Sequence, residues 1–123
     1  MKRYMMITLV ALFAFMNVKA QKVALISNAN QFVGDTVRLC DKVISSNAAL
    51  LTEDKPSILI MGGSEPENQV SIIIKAEDRK RFDYKPEKDL INRNVCVTGK
   101  LEKTDGKLQI LVSRQVDINI ENK

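Results

Sequence analysis

Histidine is missing from all 123 residues, so imidazole general-base catalysis, histidine metal ligation and histidine pH switching are closed to this chain. The residues left that could do chemistry are two cysteines, two glycine–lysine steps and scattered carboxylates. Gly99-Lys100 and Gly106-Lys107 are each followed by a leucine and lack the spacing of a phosphate loop. Glu53, Asp54, Glu65 and Glu67 fall in turn-rich stretches without calcium-loop spacing. No Ser-x-x-Lys stands in the strand and helix context that would activate its serine. This set points away from an enzyme, and it implies no cofactor and no metal. Cys40 and Cys96 remain: a disulfide in an oxidising compartment, two separate buried thiols in a reducing one.

The first residues bear on that choice. Lys2 and Arg3 precede a nearly unbroken apolar run from Met5 to Met16, and Val18-Lys19-Ala20 offers small residues where a signal peptidase reads. The pattern predicts a signal peptide over residues 1–20, cleaved after Ala20, and hence export to the periplasm or beyond. The apolar run is shorter than the roughly 20 residues a spanning helix needs, so no membrane span is expected after cleavage. No cysteine follows the site for acylation. Lys2, Arg3 and Lys19 are three of the 19 basic residues; without them 16 stand against 15 acidic ones, and the net charge falls from +4 to +1. A nearly neutral domain carries no broad electrostatic footprint for nucleic acid. Removing 20 residues from 123 leaves 103, enough for one small domain.

Residues 21–34 read as a lead-in, with Val23, Leu25 and Ile26 as a short edge strand and a helical turn from Asn28 to Val33 capped by Ser27. The domain proper is placed at residues 35–123. A first strand runs from Thr36 to Ile44, a second from Ser57 to Met61 and a third from Gln69 to Lys75. Between the third and fourth strands, Ala76–Phe82 puts acids before bases, as a short helix prefers, and Pro86 restarts a second turn through Asn92. The segment from Asn94 to Ser113 is the clearest hairpin, its alternating strands joined at Asp105-Gly106, a pair suited to positive φ. Ile118 and Ile120 are the last apolar anchors.

Three strands, a short helical segment and a closing hairpin are the element order of a mainly β, five-stranded Greek-key OB-fold barrel. A small sandwich competes, but it normally needs about seven strands. In the barrel the first strand lies antiparallel to the fourth. That brings Cys40 and Cys96 onto one face of neighbouring strands, within disulfide range. Topology and compartment therefore predict the same bond.

The chain resembles small exported bacterial OB-fold proteins, similar to the anticodon-binding-like OB domains. The resemblance lies in Val33-Gly34-Asp35-Thr36-Val37-Arg38-Leu39-Cys40, in Gly62-Gly63 with Pro66 and Asn68-Gln69, in Val95-Cys96-Val97-Thr98-Gly99-Lys100, and in Gly106-Lys107-Leu108-Gln109-Ile110. Asp41 stands where such domains often have a glycine, and Leu108 where a proline is common. The resemblance implies a binding module with single-stranded nucleic acid as its ligand class; the chain is expected to be a monomer and, from its residues, non-catalytic. Strands that hold single strands use aromatic platforms in a basic groove. The second and third strands here carry no aromatic residue, and the only basic strip is Lys100, Lys103 and Lys107 with Arg38 and Lys42. The outward face is expected to present Leu59, Met61, Ser71, Ile73 and Lys75. Gly62, Gly63 and Asn68 belong to one flanking loop, and Lys103 and Lys107 to the other. Its apolar part could receive a protein of the cell envelope, in an interaction or envelope-stress accessory role, or it could be covered by Val23–Ile26.

Overall fold

The computed structural model describes residues 22–121; the expected leader and its cleavage point after Ala20 lie outside them. Strand β1 (Lys22–Ala24) leads into a 3-10 helix (Ile26–Phe32), and β2 (Thr36–Ser46), β3 (Ser57–Gly62) and β4 (Gln69–Ile74) follow. Two single-turn helices, α1 (Ala76–Arg79) and α2 (Pro86–Asp89), precede the hairpin of β5 (Asn94–Thr104) and β6 (Lys107–Leu111), and β7 (Ile118–Ile120) ends the chain. Proline opens α2 at a position where its missing N–H costs nothing.

The barrel closes in the order β2–β3–β4–β6–β5 and back to β2. All of these contacts are antiparallel except β4–β6. Thr36–Lys42 of β2 pairs with Lys100–Asn94 of β5, after which β2 turns to β3, with a register shift between Val43 and Ser45. The bulge therefore forms without a glycine. Asp105 at φ 52° and Gly106 at φ 78° make the tight turn expected at the hairpin tip. The lead-in departs from expectation at its cap. Leu25, not Ser27, occupies that position, and the Asn28 side chain accepts the Leu25 N–H at 2.9 Å. Residues 118–120 form a paired strand on β5 where only anchoring was expected.

Inward residues alternate along every strand: Val37, Leu39 and Val43 from β2, Val70, Ile72 and Ile74 from β4, Val95 and Val97 from β5. Leu90, just after α2, is fully buried and caps this core, with Phe82 and Tyr84 packed against it from the side. The single expected disulfide is present, Cys40 lying directly opposite Cys96 in the β2–β5 ladder.

Gly62 ends β3 at φ +118°, and a methyl group there would stand 2.3 Å from the Asn68 carbonyl oxygen. Gly106 also has positive φ but has open space around it. Gly62→Ala is expected to lower the unfolding free energy by at least about 2 kcal/mol, and Gly106→Ala by about 1, in urea titrations. Equal losses at the two sites would show that the contact with Asn68 is unimportant.

Candidate binding face and its end loops

Because side chains alternate across a strand, the faces of β3, β4 and β6 turned from the core form cross-strand rows. The register aligns Ile58 with Ile73 and Ile73 with Leu111, giving one apolar row. The next row is Ile60, Ser71 and Gln109, and Gln69 opposite Gly62 ends the series. Ile58, Ile60, Ser71 and Ile73 are half-buried and Leu111 is 37% exposed. A cleft of about 230 Å3 opens at the apolar end, where Lys75 and Asp78 stand beside Ile73 and Leu111.

Leu59 and Met61 are not part of this face. Both are completely buried, opposite Ile72 and Val70. The apolar run from Ile58 to Met61 does not show its own phase, and Ser57 invites the wrong one by placing a hydroxyl where the outside is expected. Ser57 is fully buried. Its Oγ donates to the buried Glu87 carboxylate at 3.1 Å and accepts from Arg79 Nη1 at 3.2 Å. A buried hydroxyl with both partners satisfied costs little. Ile58, Ile60 and Leu111, not singled out in the sequence, take the outward places. The alternation of β4 carried across the β3–β4 pairing was the signal that could have found them.

Ser71 and Ile73 sit at the centre of the face, and Lys75 is exposed at one end. The other expected residues gather at the opposite end, since β3 and β4 are joined there and the β5–β6 turn lies beside Val70. At that end the Gly63 N–H donates to the Asn68 carbonyl at 2.9 Å, and Gln69 Nε2 returns to the Gly63 carbonyl. Gly62, Gly63 and Asn68 thus build a closed connection whose backbone is engaged. Lys103 and Lys107 are exposed on the neighbouring turn, and Lys103 Nζ donates to Asn30 Oδ1 at 3.3 Å. Within Val23–Ile26, β1 runs along β2, whereas Ile26 reaches the far end of the series, its Cδ1 2.9 Å from where a Cβ on Gly62 would stand. The lysine end is held by Arg79, whose guanidinium donates to the carbonyls of Thr52, Glu53 and Lys55.

Of the basic strip, Lys42, Lys100, Lys103 and Lys107 are exposed and Arg38 is half-buried. Arg38 turns to the disulfide, with Nη1 3.3 Å from Cys40 Sγ. Phe82 and Tyr84 meet edge to face at 5.7 Å against the core, so neither serves as a platform on the face. Cys40, Cys96 and Glu121 bring their ligand atoms within 4.8 Å of one another. With the sulfurs bonded together, neither is the thiolate that a metal takes. The Thr52 hydroxyl holds the exposed Asp54 carboxyl below its usual range. Among the described residues no helix is long and apolar enough to cross a membrane.

A mainly β, closed five-stranded barrel with its helical segment between the third and fourth barrel strands is the OB fold, a frame for binding. No protein-family model and no curated protein matches the chain. Among solved structures it is similar to a chain of the S. pombe Stn1–Ten1 complex, with TM-score 0.63 and 9% identity over 85% of this chain and 81% of that one. It is likewise similar to the OB domain of MM0293 from Methanosarcina mazei, at TM-score 0.54 and 13% identity over 84% of each chain. An aspartyl-tRNA synthetase from Leishmania major aligns at TM-score 0.58 and 13% identity over 86% of this chain. The chain spans only 22% of that synthetase. At these identities the likeness is one of fold.

Burial and the nearby Asp89 carboxylate both raise the Tyr84 phenol above 10.0, burial contributing more. Its hydroxyl is buried with no hydrogen-bond partner among the described residues. The raised value favours the neutral phenol in the fold, so this contribution is complete below pH 10.0 and is lost as pH climbs through the folded value. Tyr84→Phe is expected to match or exceed the wild type in stability at neutral pH, by up to about 1 kcal/mol. It should also flatten the loss of stability as pH rises above 10.0. Identical alkaline profiles for the two proteins in urea titrations would refute this.

Proposed function

We propose that the chain is an exported, monomeric OB-fold module, without catalytic activity, that binds a protein segment across the outer face of β3, β4 and β6. The observation that carries the reading is the row Ile58–Ile73–Leu111 beside the row Ile60–Ser71–Gln109. An apolar row bordered by a hydroxyl and an amide suits a peptide, whose side chains bury apolar area while its polar groups find partners at the margin. Single strands of nucleic acid need stacking surfaces and a positive track, and this face offers neither aromatic ring nor lysine row. The Stn1–Ten1 neighbour is itself a protein complex, which supports protein partners for this frame. The synthetase neighbour lends nucleic acid only the support of shared fold.

Export rests on the leader pattern of residues 1–20 and is supported by the disulfide, a bond that persists in oxidising compartments. Expressed in bacteria with its first 20 residues, the chain recovered from the envelope fraction should begin at Gln21 on N-terminal sequencing. Recovery of a chain still starting at Met1 would overturn export.

Binding is tested by immobilising the oxidised protein, wild type and Ile73→Glu, against envelope extract. A charge at the centre of the apolar row is expected to weaken capture of a specific protein by tenfold or more, about 1.4 kcal/mol. Capture indifferent to Ile73→Glu would reject this face. Retention on single-stranded DNA that falls steeply with salt would return the assignment to nucleic acid.

A further inference from the structure

The disulfide plays no part in the proposed binding face, and its two sulfurs stand in different surroundings. Cys40 is half-buried and lines two surface clefts, one of about 330 Å3 between Leu25 and Asn68, the other of about 230 Å3 formed with Asp41, Asn94 and Glu121. Cys96 is 1% exposed and lines neither cleft. The charges differ as well. The Arg38 guanidinium lies 3.3 Å from Cys40 Sγ, whereas Glu121 Oε1 lies 2.7 Å from Cys96 Sγ. A disulfide sulfur has no hydrogen to donate, so the Glu121 contact sets a carboxylate directly against sulfur.

We infer that Cys40 is a thiol-modification site and that Glu121 restrains the exchange that modifies it. In the step, the lone pair of an incoming small thiolate forms a bond to Cys40 Sγ. The electrons of the broken S–S bond leave on Cys96 Sγ as a thiolate. The products are a mixed disulfide on Cys40 and the Cys96 thiolate, which takes a proton from water; no oxidant enters and none is consumed. The protonated thiol then has Glu121 Oε1 as an acceptor. Return attack by Cys96 on the mixed disulfide restores the original bond and expels the small thiol.

Access and charge oppose each other at this bond. Attack at Cys96 would leave the departing thiolate on Cys40 beside a guanidinium, the favourable arrangement, but Cys96 is sealed in the wall. Attack at Cys40 is open, yet it drives negative charge onto a sulfur whose neighbour at 2.7 Å is the Glu121 carboxylate; the residue is exposed, but at that distance no water fits between the two atoms. The leaving thiolate governs exchange rates, so the accessible route is the slow one. Glu121 acts here by positioning charge. Its backbone N–H is fixed to the Asn94 carbonyl at 2.8 Å, which holds the residue beside the sulfur pair.

The test treats the folded, oxidised protein with 2-mercaptoethanol, a neutral thiol, and traps free thiols with iodoacetamide at successive times. Peptide mass spectrometry should find the first mercaptoethanol adduct on Cys40 and the alkyl group on Cys96. Glu121→Gln is expected to speed this first step about tenfold. Glu121→Asp, which keeps the charge, should stay within about threefold of the wild type. Urea midpoints of the oxidised variants separate this effect from easier opening of the fold. A first adduct on Cys96 would overturn the inference. So would equal rates for wild type and Glu121→Gln at equal midpoints, or Glu121→Asp as fast as Glu121→Gln.

Discussion

Strands β2 and β5 are each eleven residues long, and the barrel asks each to serve two partners on opposite edges. Their seven-residue mutual ladder occupies one edge of both. On its other edge β2 meets β3 only from Val43 onward, and β5 meets β6 only from Lys100 onward. Half an edge on each strand would stand bare, with main-chain N–H and C=O groups that must find partners wherever water cannot reach them. The two terminal strands meet that demand. β1 pairs in parallel with Val37–Leu39, and β7 pairs antiparallel with Val95–Val97. Across the seam the layer therefore reads β1–β2–β5–β7, with the disulfide at its middle. A bridge between positions 56 apart removes about 4 kcal/mol of chain entropy from the unfolded state, placed on the pairing with the greatest closure distance to overcome.

Much of this was legible. Asp105-Gly106 announces its turn because few residue pairs tolerate positive φ twice in succession, and the element order followed from strand and helix periodicity around it. The cysteine bond was legible because the fold's topology sets the first strand beside the fourth, each cysteine lies on the face opposite its strand's apolar set, and the leader points to an oxidising compartment. What could not be read were features that depend on distant partners. Ser57 looks like an outward residue until Glu87 and Arg79, 30 and 22 residues away, are seen to bury it. Its phase decided that of Leu59 and Met61. The pairing of Ile118–Ile120 was hidden for a similar reason: a three-residue strand has no periodicity of its own, only an edge that needs it.

The same buried serine shapes the candidate face. Turning Ser57, Leu59 and Met61 inward sends Ile58 and Ile60 outward beside Ile73, which makes the face more apolar than the sequence suggested at Ile58 and Ile60 and less so at Leu59 and Met61. The Ser57–Glu87–Arg79 cluster also locks the β2–β3 loop, since Arg79 gathers three of its carbonyls. A polar cluster inside the wall thus holds an apolar surface outside it. The lysine end is rigid through side-chain to backbone bonds, and the opposite end through the backbone of Gly63 and Asn68. A face framed this way presents its rows with little ordering cost on binding.

Disulfide and face occupy different walls of the barrel. The cysteines sit on the β2–β5 seam, while the apolar row crosses β3, β4 and β6. Opening the bond removes a constraint on the unfolded chain more than it removes contacts from the folded one, so its effect concentrates on how often the seam parts. The rows of the face rely on ladders that the cysteines do not join. Protection of Cys96 by burial and by the Glu121 carboxylate is then best understood as protection of closure itself, the β2–β5 pairing that turns the sheet into a barrel.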